Sequence, residues 1–315
     1  MILMDLFRPK WKHPDPYIRR DAIKKLTDQV RLAEIATTDT ALVARFAAAE
    51  RLTDRDLAER LFSDIARTAE SSHMRKCAIE RLTDQAVLTA IARTDSESDV
   101  RIAAVRTLTD QPALIAIADT LDRAVRYAAV ERLTDQPALT AIAQTDNDSF
   151  VRRAAVERLT GTNTLSAIAR TDKNSYVRRA AVEHLTDQTL LGAVAKSDPK
   201  VKVRIAALRR ITDRSVRSRI AGTDMDERVR QTGRVLCMSE AEMLSTLREF
   251  MKFILKPRVD EADLARFEAT VRAVGEQLYR CGGESRMRDA LQPLANIPQY
   301  RRIECIWSGI GEWRG

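Results

Sequence analysis

The sequence predicts an all-α protein, a right-handed α-solenoid of about nine two-helix repeats (period ~26) followed by a small C-terminal helical module. Three observations predict it. A Leu-Thr-Asp signature recurs at near-constant spacing, the apolar residues inside each unit follow a helical period, and the chain is poor in aromatics (5%) and glycine (ten in 315 residues). A β fold usually requires more of both.

The signature begins at Leu26, Leu52, Leu82, Leu108, Leu133, Leu159, Leu185 and, as Ile, at Ile211, with steps of 26, 30, 26, 25, 26, 26 and 26 residues. Gly161 replaces the aspartate in the sixth copy, and the long step reflects four extra residues between Asp56 and Ser72, in a lengthened helix or loop. A degenerate ninth unit follows near Val229. In Val151–Leu159, apolar groups at Val151, Ala154, Ala155 and Leu159 fall on one helical face. Upstream, Leu139, Ile142 and Ala143 form a single stripe. Thr134 and Asp135 offer capping oxygens, and Pro137 suits a first turn, where a missing N–H costs nothing. A pair of helices this short cannot bury its own apolar face and must stack on its neighbours. The expected organisation is therefore a cap segment over 1–14, repeats over 15–237 and a helical module over 238–315.

The VRxAAVxxL helix after an aspartate-bearing turn resembles the HEAT-like repeats of the phycobilisome-lyase type, and the short period is similar to that of leucine-rich-variant repeats. The likeness covers residues 15–235. The whole chain also resembles uncharacterised prokaryotic HEAT-repeat proteins. This implies an armadillo-like helical array whose curved surface binds other proteins. It also implies that an arginine column, Arg19, Arg45, Arg75, Arg101, Arg126, Arg152, Arg178, Arg204 and Arg230, is a structural ladder rather than a nucleic-acid rail. An acid in the turn before each helix (Asp39, Asp95, Asp122, Asp146, Asp172, Asp198 or Asp224) would receive the guanidinium, with Arg45 and Arg75 lacking an obvious partner.

Charge is unevenly spread. The net charge is +8, and residues 196–234 carry twelve Lys/Arg against five Asp/Glu. Lys200, Lys202, Arg209, Arg210, Arg214, Arg217, Arg219 and Arg234 make this stretch the candidate polyanion site, with phosphate as the matching chemistry. Its alternatives are the polar end of an array or cover by Asp260, Glu261 and Asp263. Glu50, Glu80, Glu131, Glu157 and Glu183 beside Arg51, Arg81, Arg132, Arg158 and His184 read as a solvated face.

In the C-terminal module, Ser239 and Glu242 predict a capping box at the head of a helix to Lys256. A second helix is expected over about 260–280, stopping at Cys281-Gly282-Gly283, with two shorter ones near 285–295 and 298–308. Trp307 and Trp313 either pack on the module or form a docking tail. At the other end, Met1, Leu3, Leu6, Phe7 and Trp11 are expected to cap the first repeat, the alternative being a membrane surface for them and Arg8, Lys10 and Lys12.

Nothing points to catalysis. The three histidines lack ligand-spaced neighbours, the four cysteines form no CxxC pair and are expected as buried thiols, and no nucleophile elbow or phosphate loop occurs. No catalytic, cofactor or metal set is assigned. With no apolar run near the ~18 residues of a membrane span, and no signal-like start, a cytoplasmic scaffold or adaptor is expected. Its partner would be a protein, with nucleic acid the alternative. The oligomeric state is not legible.

Overall fold

The computed structural model describes residues 9–254, 261–292, 300–308 and 310. Those residues are helical, without strands, and neighbouring helices pack in chain order as an α-solenoid does. They divide into two compact units, with the boundary in the chain between residues 159 and 160, just before the Gly161 that replaces the signature aspartate.

Two kinds of helix alternate. Arginine helices, such as Ser98–Thr107, Arg123–Arg132 and Ser175–His184, carry the VR pattern. Capped helices, such as Gln85–Thr94, Gln136–Thr145 and Gln188–Ser197, follow the Leu-Thr-Asp turn. Each capped helix packs on the arginine helix that follows it. The four inserted residues lengthen a helix, Arg55–Thr68, rather than a loop.

The aspartate of the signature is the N-cap. Asp28, Asp54, Asp84, Asp110, Asp135, Asp187 and Asp213 each accept hydrogen bonds from backbone N–H groups two or three residues on. Gly161 offers no such oxygen. Threonine serves elsewhere. The Thr53, Thr109, Thr134 and Thr212 N–H groups donate to the Oε1 of Gln29, Gln85, Gln111 and Gln188 in the preceding repeat, at 2.7–2.9 Å. In the second repeat Glu59 takes this part, accepting from Thr83 and Asp84. The core beneath is built from small residues: Ala44, Ala48, Ala104, Ala129, Ala155, Ala181 and Ala207 are fully buried beside Leu32, Leu88, Leu114 and Leu139. Small side chains let the helices approach closely.

The second unit ends in the helices Glu240–Ile254, Glu261–Leu291 and Tyr300–Trp307. The capping box forms as expected: Ser239 N–H donates to Glu242 Oε2 at 2.5 Å, and Glu242 N–H to Ser239 Oγ at 3.3 Å. The expected stop at Cys281-Gly282-Gly283 does not. Gly283 takes φ = 64°, yet the helix runs on to Leu291, because Met287, Ala290 and Leu291 continue the buried face into the core. Residues 285–291 thus belong to this long helix, and the later of the two short helices is Tyr300–Trp307. Its Trp307 is fully buried and donates from Nε1 to the Val271 carbonyl at 2.8 Å. Gly275 makes room for it, since a Cβ there would lie 2.3 Å from Trp307 Nε1. The docking role for Trp307 is excluded by this burial. Trp313, Lys256, Asp260 and the segment 1–8 lie outside the described residues.

Candidate functional site

The arginine column becomes a ladder whose rungs run forward. Arg19 donates from Nε and Nη2 to Asp39, twenty residues downstream, at 2.9 and 2.7 Å, and from Nη1 to the carbonyls of His13 and Pro14 in the turn before its own helix. Arg75–Asp95, Arg126–Asp146, Arg178–Asp198 and Arg204–Asp224 repeat this fork at 2.7–3.1 Å. Arg101 reaches Asp122 at 2.5 Å, and Ser98 shares that carboxylate. Arg152 donates to the Asp146 and Asn147 carbonyls. The turn before each helix therefore supplies carbonyls, while the carboxylate comes from the next turn. This corrects the expected pairing and gives Arg75 a full partner. Arg45 has none: the corresponding position is Ala69, and Arg45 Nε is buried without a hydrogen bond. At the last rung Arg230 turns to Glu227 in its own helix.

The rungs set the electrostatics. Burial pushes the Asp122 carboxyl up, but hydrogen bonds from Ser98, Arg101 and the backbone of Ala124 and Val125 bring it down to about 2. The hydrogen bond with Asp198 holds the Arg178 guanidinium above its ordinary value against the opposing effect of burial.

The basic stretch is not one surface. Arg209 pairs with Glu276 of the long C-terminal helix, and Arg210 donates to the Leu185 carbonyl of the preceding repeat. Arg209 is part-buried, and Arg210 is exposed with Nε and Nη2 committed to that carbonyl, so neither is a free cation and both leave the candidate polyanion set. Arg214 lies 3.9 Å from Glu242 and Arg234 lies 3.8 Å from Glu227. Arg217 Nε is buried and unpartnered. Lys200, Lys202 and Arg219 are exposed and form no ion pair among the described residues. Glu276 and Glu242 of the C-terminal module stand against arginines of this stretch, while Glu227 belongs to the stretch itself. Glu261 is exposed, and the ion pairs found here do not involve it.

A second surface was not anticipated. On the exposed face of three consecutive arginine helices lies a groove of about 400 Å³, lined by Ile102, Arg106, Arg123, Tyr127, Phe150 and Arg153, among others. The Phe150 side chain is 57% exposed, and the guanidinium carbons of Arg123 and Arg153 each stand 5.9 Å from its ring centroid. That lies within cation–π range. Burial, then the charge of Glu131 and a hydrogen bond to it, pushes the Tyr127 hydroxyl up, so it stays protonated. The signal was present in the sequence. Phe150 occupies the column of Asp99, Ala124, Tyr176 and Lys202, two residues before each ladder arginine, and an aromatic there has no core to enter.

Cys77 and Cys237 are partly exposed and Cys305 is exposed, where buried thiols were expected. Among the described residues no group of three or more His, Cys, Asp or Glu side chains could hold a metal, and no helix is long and apolar enough to cross a membrane. The sequence matches no family model and no curated protein.

Proposed function

We propose that this chain is a non-catalytic, HEAT-like repeat scaffold or adaptor, located in the cytoplasm, that binds a protein partner on the exposed face of its arginine helices. The observation that carries this is Phe150, an aromatic exposed between two arginines in a groove built by three successive repeats. Aromatic residues, phenylalanine included, and arginine are enriched at the cores of protein interfaces. A repeat array also presents such a face over a long span at little cost to its core. Among the described residues, the carboxylate oxygen buried without a hydrogen bond, Glu227 Oε1, belongs to a group held by Arg230 and flanked by Arg234 and Arg266, and so is committed as a counter-ion.

The test is capture from the native cells with the tagged chain, with and without nuclease, beside a Phe150→Ala variant. A protein retained after nuclease and lost with Phe150→Ala supports the proposal. Capture that vanishes on nuclease treatment sinks it. In that case the polyanion alternative gains, resting on Lys200, Lys202 and Arg219, which stay exposed and form no ion pair among the described residues. Reversing their charge should then lower nucleic-acid affinity and flatten its salt dependence.

A further inference from the structure

We infer that the groove at Phe150 receives a short linear peptide in which a carboxylate side chain stands next to an apolar one. This rests on the protein-partner reading and specifies the partner's chemistry. The floor is apolar, made by Ile102, Ala124, Ala128 and the ring of Tyr127, and Phe150 stands exposed at its edge. Three arginines and a single glutamate, Glu131, line it. The arginines' own acids pair with two of them by charge but leave hydrogen-bond donors over. Asp148 lies 3.7 Å from Arg123 and Glu157 lies 3.5 Å from Arg153, while Arg153 Nε is buried with no hydrogen bond at all. Arg106 is exposed and has no ion pair among the described residues. Guanidinium donors left over beside an exposed ring match a carboxylate, which accepts two parallel N–H bonds, with an apolar neighbour laid on the ring. The volume fits one or two side chains, not a folded domain.

A single-stranded nucleic acid fits less well. Stacking successive bases needs a succession of exposed rings, and of the two rings that line the groove Phe150 stands out while Tyr127 is half-buried in the floor. Residues 109–160 also carry eight acids against six bases, which opposes a long polyanion but not one or two carboxylates.

The experiment presents a random octapeptide display library to the full chain, with recovered peptides measured by fluorescence anisotropy. The expected result is enrichment of Asp or Glu adjacent to Leu, Phe or Tyr, with affinity falling about tenfold or more on Phe150→Ala or on Arg123→Gln with Arg153→Gln. Replacing the peptide's acid by its amide should do the same. Phe150 and Arg123 are surface residues, so an unchanged melting temperature shows that the variants stay folded. Recovered peptides without acidic enrichment, peptides that bind Phe150→Ala undiminished, or an empty selection each overturn the inference. So does oligothymidine binding that depends on Phe150, or self-association lost with Phe150→Ala. Failure of the groove leaves nuclease-resistant capture intact, whereas failure of the protein-partner reading abolishes it.

Discussion

Arg45 and Ala69 form an incomplete rung. Ala69 ends the helix Arg55–Thr68 with the same extended backbone that Asp39 and Asp95 adopt at the ends of their helices, but it has no carboxylate, and Arg45 Nε is left buried without a partner. Ala69→Asp should complete the rung. A charge-assisted hydrogen bond contributes about 1.5–3 kcal/mol at best, and partial exposure of Arg45 places the gain at the lower end. Thermal unfolding should show a rise of several degrees. An unchanged or lowered midpoint would mean that the ladder does not set stability at this position.

Truncating two arginines should separate complete from incomplete rungs. Arg75→Ala strands the Asp95 carboxylate, which is about nine-tenths buried, and should cost about 3 kcal/mol. Arg45→Ala strands nothing and should cost about 1 kcal/mol or less, chiefly in lost packing. Equal losses in denaturant titrations would contradict the forward pairing.

Acid should weaken the fold in a defined window. Asp122 and Asp226 lie at about 2 in the folded protein, against an ordinary 3.8. Depressed carboxyl groups bind fewer protons folded than unfolded, so their contribution is complete well above 3.8 and is lost as pH falls toward 2. The melting temperature should be flat above pH ~5 and fall steeply below pH ~4. Asp122→Asn should flatten part of that slope while lowering stability at neutral pH. A slope unaltered in Asp122→Asn would remove this carboxyl from the account.

The glutamine rungs predict a milder loss. Gln111→Leu leaves the Thr134 N–H and the carbonyls of Thr109 and Arg132 to water, for a cost of about 1 kcal/mol. Amide hydrogen exchange should show faster exchange at Thr134. Unchanged protection there would show that water replaces the amide without loss.

The helices and their caps were legible because periodicity and the Leu-Thr-Asp turn are local. The arginine column was legible too, but not the direction of its pairing, since an acid six residues before Arg101 and one twenty-one residues after it look equivalent on paper. The glutamine column stands in the sequence at positions 29, 85, 111, 136 and 188 but carries no signal of its own, because an exposed Gln at a helix start resembles ordinary solvated surface. The C-terminal module was read least well. Whether Gly283 ends a helix depends on what Met287 and Leu291 touch, which is a tertiary fact. The Phe150 groove needs three repeats in register, which one repeat alone does not display.

Gly275 and Trp307 are tied together across thirty-two residues of chain. Any side chain at 275 would occupy the volume of the indole ring, and the indole in turn fills a space that no smaller residue would close. Neither position can drift alone. Among descendants of this sequence the two should be inherited as a pair, with a larger residue at 275 tolerated only where 307 has already shrunk. Single substitutions at either site should be the rarest kind of variation in the C-terminal module.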